Sequence, residues 1–223
     1  QIARDPTVKV KFLMTSIEEL FGYPVKYGKA WMAKANAIRM LHGDYEAAYN
    51  ILPKMLVAIA HRNPGMRHWV ESIEGVFHRA FWSFGQCIDA FRHCRPVLSI
   101  DGTFLTGKYK GTLMVAMAHS SNDNVLPVAF ALVPSEHDDN WEWFMDHVRT
   151  KVIGPKREVC IISDRHHGIL KAIEVDIPGY PKLQHRWCMR HFVANFYRAC
   201  KSKEFCKDLI HVCVALNNNT FQS

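Results

Sequence analysis

Two aspartates each close a strand-like run. Asp101 ends Pro96-Val97-Leu98-Ser99-Ile100, and Asp164 ends Val159-Cys160-Ile161-Ile162-Ser163. A carboxylate after a buried apolar strand sits on a rigid element with its charge at the sheet rim. Two such strands side by side would bring together hard oxygen ligands of the kind Mg²⁺ or Mn²⁺ requires. Paired carboxylates serve phosphoryl chemistry: one metal activates a water or 3′-hydroxyl and a second, about 3.5–4 Å away, stabilises the leaving oxygen. Such a site usually takes a third carboxylate, and Glu136, Asp138, Asp139 and Glu142 are candidates. Asp139 and Glu142 also have the spacing of a capping box. Glu136 falls in a loop after a strand-like run, and its role stays open. Taken singly, Asp101 also fits a turn start, and Asp164, with Ser163, a helix N-cap.

A second constellation is His185-Arg186-Trp187-Cys188-Met189-Arg190-His191. Cys188 and His191 have half the ligands of a zinc site, and the same spacing fits a structural Cys–His pair on one helix face. Small residues after Asp101 let a ligand approach, and Lys108 and Lys110 in that segment could meet phosphates. Arg186 and Arg190 begin a basic, aromatic-rich C-terminal stretch that continues through Arg198, Lys201, Lys203 and Lys207. It fits either a path for a nucleic-acid backbone or a solvated helix face.

The elements that must position these residues are legible in part. Residues 8–65 read as helical: Leu13, Ile17 and Leu20 share one face, and Trp31, Ala35, Ile38 and His42 another. Gly43 fits a C-terminal cap, Asp44 the next N-cap, and Pro53 the opening of a short helix through Ile59. Phe77, Phe81, Trp82 and Phe84 fit a strand or a helix equally. From residue 96 the runs predict strands at 96–101, 112–118 and 125–133, with Pro127 marking an edge or a bulge. A helix at 139–152, a strand at 159–163, a helix at 166–175, a strand at 182–186 and a helical stretch at 188–216 follow. The order describes an α/β fold, a mixed sheet with helices packed on it.

Composition narrows the class. The chain has 223 residues, 48% of them hydrophobic, so a packed core is available and a disordered chain is excluded. A formal charge of +7 favours a polyanionic partner. Seven cysteines without the compact spacing of a secreted scaffold read as reduced thiols of an intracellular protein. No apolar run approaches the length of a membrane span, and no signal peptide is visible. A first residue other than Met and a last helix running into Asn217-Asn218-Asn219 lead us to expect a fragment of a longer chain.

With these residues in place the chain resembles the transposases of Mutator-like elements, which abound in plant genomes. The likeness rests on Lys26-Tyr27-Gly28-Lys29-Ala30-Trp31, Gly43-Asp44-Tyr45-Glu46, Asn63-Pro64-Gly65, Asp101-Gly102-Thr103-Phe104, Leu126-Pro127-Val128-Ala129, Trp141-Glu142-Trp143-Phe144, Ile162-Ser163-Asp164-Arg165 and Cys188-Met189-Arg190-His191, in that order. The resemblance implies a ribonuclease-H-like core at 91–187, a helical N-terminal region at 1–90 and the start of a helical insertion at 188–223. It implies a DDE-type site with Asp101 and Asp164 as its first two acids, binding Mg²⁺ or Mn²⁺, with Cys188 and His191 as the family's Cys-x₂-His pair and Zn²⁺ as their alternative ligand. The family's last glutamate lies well downstream of that pair, so it is expected beyond Ser223; Glu204 and Asp208 do not match its setting. The implied activity is DNA strand cleavage and transfer for a cut-and-paste transposon, in the nucleus, with transposon ends and target DNA as partners and a homo-oligomeric assembly. Loss of the third acid would instead leave a DNA-binding regulator without catalysis.

Overall fold

The computed structural model describes residues 2–43, 45–106, 110–120, 122 and 124–220, with the backbone alone at 42, 45, 46 and 214–220. Asp44 and Lys108 lie outside the described residues. The chain divides into two compact units, Gln1–Met55 and Leu56–Ser223.

The first unit is helical, as its periodicity predicts. Helix α1 (Val10–Phe21) and helix α2 (Tyr27–His42) pack on one another, with Leu13 and Ala30 buried. Lys34 Nζ donates to the Val8 carbonyl at 2.6 Å, tying α2 to the residues ahead of α1. Gly43 ends α2, its N–H donating to the Arg39 carbonyl at 2.9 Å. Helix α3 (Tyr45–Arg62) differs from expectation, because Pro53 lies inside it instead of opening a new helix. The proline removes one backbone donor, but Ala47, Ala48, Lys54, Met55 and Leu56 around it are strong helix formers and keep the helix continuous.

The second unit is built on a seven-stranded mixed sheet in the order β1-β2-β5-β4-β3-β6-β7. Strands β1 (Arg67–Ile73) and β2 (Val76–Ser83) form a hairpin, and β2 pairs with β5 (Val125–Val133). This settles the ambiguous aromatic stretch: 67–83 belongs to the sheet, whereas the sequence reading carried the helical region to residue 90. The hairpin was hidden because its two-residue turn, Glu74-Gly75, lacks an Asn-Gly or Asp-Gly pair. Both turn residues have positive φ, 51° and 79°, the geometry that matches strand twist.

Helix α4 (Gly85–Phe91) leads into β3 (Val97–Phe104), which runs antiparallel to β4 (Thr112–His119); β4 in turn runs antiparallel to β5. A register shift at Ala116/Met117, opposite Pro127, is the bulge the proline announced. Helix α5 (Asp138–His147) follows and widens into a π-helical turn over Val148–Ile153, where the buried Arg149 donates to the carbonyls of Val175 and Pro181. Then come β6 (Cys160–Ser163), α6 (His167–Glu174), β7 (Gln184–Trp187), α7 (Met189–Cys200) and α8 (Lys203–Thr220), with β3, β6 and β7 mutually parallel. One core holds the sheet and helices together, centred on Phe81, Phe91, Leu98, Met114, Ile161, Trp141 and Phe144. Burial of these apolar side chains is the main favourable term. The result is the α/β mixed sheet with flanking helices that the sequence predicts, a layout consistent with a ribonuclease-H-like fold.

Candidate active site

Strand direction decides which residues can meet. β3 and β6 are parallel neighbours, and Val97, Leu98 and Ser99 pair with Cys160, Ile161 and Ile162. Continuing that register by two residues sets Asp101 beside Asp164. Phe104 pairs with Thr112, and Thr112 with Val133, so the C-terminal end of β5 emerges at this same rim. β7 is parallel to β6, so Cys188 and the start of α7 emerge there too.

Asp101 itself is not the end of its strand, as the sequence reading placed it. β3 continues to Phe104 because Gly102 and Thr103 still pair with Met114 and Leu113 of β4. On the β6 side, however, the paired residues stop at Ser99, which leaves the Asp101 carboxylate at an open rim. Its Oδ1 accepts the Gly102 N–H at 3.0 Å, and its Oδ2 accepts Arg190 Nη2 at 3.1 Å. Asp164 is not the N-cap of α6. Its Oδ1 accepts the His166 N–H at 3.0 Å, and His166 is the cap, its Nδ1 accepting the Gly168 N–H at 3.1 Å. Two residues of turn therefore separate the carboxylate from the helix it was expected to start.

Asp101, Glu136 and Asp164 line one cleft of about 230 Å³, together with His166, His191 and Arg198; Trp141, Ile169 and Phe104 form its apolar side. Glu136 reports the crowding. Burial pushes its carboxyl up from the ordinary value; the His166 charge opposes that, and the charges of Asp164 and Asp101 add to it. A Cβ added at Gly102 would stand 2.3 Å from Glu136 Oε1, so the glutamate lies against the backbone immediately after Asp101.

The other acidic candidates separate from this site. Asp138 pairs with Lys171 Nζ and His167 Nδ1, both at 3.4 Å. Asp139 and Glu142 line a different cleft with Arg79 and Arg149. The expected capping box is not formed, since α5 is preceded by His137 with no side-chain cap. His191 enters the cleft but Cys188 is not among its lining residues. The His191 Nδ1 atom is buried without a hydrogen-bond partner. Lys110 and Arg186 are exposed, Arg186 donating to the His185 carbonyl, and neither lines the cleft. Arg190 is exposed on its rim, held by Asp101.

The sequence reading gave His166 no ligand role and Arg198 no place at this site. A signal for α7 was present: His191, Ala194, Asn195 and Arg198 follow the i, i+3, i+4, i+7 spacing of one helix face, and all four line the cleft.

Carboxylates are the donor type that a hard divalent cation takes. Three carboxylates converge on one rim, a guanidinium already rests on one of them, and a buried imidazole nitrogen there lacks a partner. Among the described residues no group of three or more His, Cys, Asp or Glu side chains is placed to hold a metal ion.

Residues 97–195 match the family described as MULE transposase domain. That segment is similar to MULE transposase domains. The matched segment starts at the first residue of β3 and ends inside α7. It contains Asp101, Glu136, Asp164, Cys188 and His191, and stops short of Arg198. No curated protein matches the chain. Among the described residues no helix is long and apolar enough to cross a membrane.

Proposed function

We propose that this MULE transposase domain cleaves and joins DNA strands for a cut-and-paste transposon, using a divalent cation at Asp101 and Asp164. The observation that carries this reading is the parallel β3–β6 pair, which opens both carboxylates into one cleft. A cation bound there would activate the attacking water or 3′-hydroxyl and stabilise the leaving oxygen. Mg²⁺ or Mn²⁺ suits the all-oxygen donors. The chain's own residues hold and orient: β3 and β6 fix the two acids on rigid backbone, and the His166 N–H sets the Asp164 rotamer. Arg190 and Arg198 offer cationic groups at the same rim for phosphate. A net charge of +7 supports DNA as the partner, both transposon ends and target. A nuclear location and a homo-oligomeric assembly belong to the same proposal, since synapsis of two ends needs two active sites. Cys188 stands at the N-cap of α7 and His191 lines the cleft, and neither is assigned to a zinc site.

Nicking of element-end DNA in Mn²⁺ or Mg²⁺ tests it. The wild-type chain should nick, and Asp101→Asn and Asp164→Asn should each lose activity while keeping the wild-type melting temperature to within a few degrees. Equal activity in all three proteins removes these aspartates from the chemistry. DNA binding without nicking in every form leaves a DNA-binding regulator as the function.

A further inference from the structure

We propose that the sheet rim opposite Asp101 and Asp164 is a separate DNA-contacting surface, where a cleft lined by Arg67, Arg92 and Lys151 grips the phosphodiester backbone. The inference shares DNA as the partner with the proposed function and adds a surface remote from the acidic cleft. Topology gathers the residues. β3 and β6 run parallel, so their first residues, Val97 and Cys160, pair at the rim away from the two aspartates. The chain enters those strands through residues 89–96 and 151–158. Arg67 opens β1 opposite Ser83, the last residue of β2, and α4 starts two residues later. Segments 62–67, 89–96 and 151–158 hold seven Lys or Arg and two acids, a surplus of five in a chain whose net charge is +7. Most of the positive charge therefore sits in these connections.

Close packing shapes the cleft. A Cβ added at Gly85 would stand 2.2 Å from the Pro64 carbonyl oxygen and 2.9 Å from the Gly65 Cα, so the turn before β1 rests directly on the start of α4. With the end of the π-helical turn they enclose about 210 Å³, lined by Arg67, Arg92, Lys151 and one acid, Asp89. That is smaller than the roughly 300–1,000 Å³ of an organic-ligand site, and it suits a phosphate group. The cations are available. Arg67 is exposed, and its side chain makes no hydrogen bond or ion pair with a described residue. Arg92 meets Asp89 at 3.3 Å, with both side chains more than 70% exposed, a weak pair that a phosphate can replace. Lys151 Nζ stands 4.9 Å from the Trp69 ring centroid, which positions the ammonium without neutralising it. Arg62, Arg95 and Lys156 are exposed in the same three segments and extend the surface along a backbone.

The test measures binding of a labelled random-sequence duplex to the whole 223-residue chain by fluorescence anisotropy across a salt series. EDTA is present, so no bridging cation contributes at the acidic cleft. The double variant Arg67→Ala/Arg92→Ala should lower the slope of log affinity against log salt by about two, at about 0.9 per phosphate contact, and Lys151→Gln by about one. The double variant should keep the wild-type melting temperature to within a few degrees, because both side chains are exposed. Lys151→Arg should keep the wild-type slope. Unchanged slopes in the double variant and in Lys151→Gln, with a lowered slope in Arg186→Ala, overturn this surface and leave DNA binding at the acidic rim standing. Tighter binding of polyglutamate than of DNA at equal charge, lost in the double variant, makes the surface a dock for acidic protein and also overturns it. A wild-type slope near zero overturns this inference together with DNA as the partner.

Discussion

At the scale of single residues, the Asp101–Arg190 pair at 3.1 Å is the contact with the clearest consequence. Both side chains are substantially exposed, so the pair adds little stability. Its importance is competitive, because a guanidinium and a divalent cation want the same carboxylate. Arg190→Ala should tighten Mn²⁺ binding a few-fold, measured by titration at low salt, and the gain should shrink as salt is raised. The same variant should bind DNA more weakly if Arg190 turns to phosphate once the metal displaces it. Asp101 and Asp164 were legible from the sequence because an acid ending an apolar run is a local pattern. Glu136 was legible only as one of four candidates, because which of them lines the cleft depends on where β5 ends relative to β3.

At the scale of elements, two packing sites hold the frame of the cleft. Gly168 lets α6 sit against α5: a Cβ there would stand 2.8 Å from Trp141 Cδ1 and 3.2 Å from the Asp138 Cα. Because one neighbour is backbone, Gly168→Ala should force a helix shift, lower stability by about 1–3 kcal/mol in a denaturant titration, and reduce Mn²⁺ affinity through the displaced Asp164 turn. The second site joins the hairpin to α5. Glu71 accepts from Arg79 Nε and Trp143 Nε1, each at 2.6 Å, and Arg79 lies over the Trp143 ring. His147 packs against Trp143, Phe81 and Trp69.

Burial pushes the Glu71 carboxyl up, but the bonds from Arg79 and Trp143 and the Arg79 charge outweigh it, holding the group below its ordinary value. Burial likewise holds the His147 ring below its ordinary value. For an acid with a lowered folded pKa, stability is present above the unfolded value and lost as pH falls through the folded one. For a histidine with a lowered folded pKa, the unfolded chain takes up its proton first, so stability also falls as pH drops below about 6.5. The melting temperature should therefore decline on acidification, first from about pH 6.5 and again below about pH 4.5. His147→Gln should flatten the upper step and Glu71→Gln the lower one. The β1–β2 hairpin that carries this contact escaped the sequence because Glu74-Gly75 is a weak turn signal and aromatic runs suit either element. The core strands and α5 were legible because their alternation and helical spacing persist over whole segments.

At the scale of the molecule, a positive chain presents an acidic cleft whose rim carries arginines. A cleft of carboxylates alone would repel a phosphodiester, so DNA affinity must come from the surrounding cations together with bound metal. DNA affinity should fall linearly with salt on a double-logarithmic plot, and Arg186→Ala should reduce the slope by about one phosphate contact while leaving Mn²⁺ binding unchanged. Fluorescence anisotropy across a salt series checks this, and a slope near zero would remove phosphate contact from the account. By itself the amino-acid sequence determined the α/β class, the helical first segment and the two strand-bound aspartates, because each is written in local periodicity and in the residue that ends a run. Only the tertiary structure decided that the two strands are parallel neighbours, that Glu136 lines their cleft, and that Asp138, Asp139 and Glu142 do not. Those outcomes depend on strand order and on the direction in which each chain leaves the sheet, and neither is carried by any short stretch of sequence.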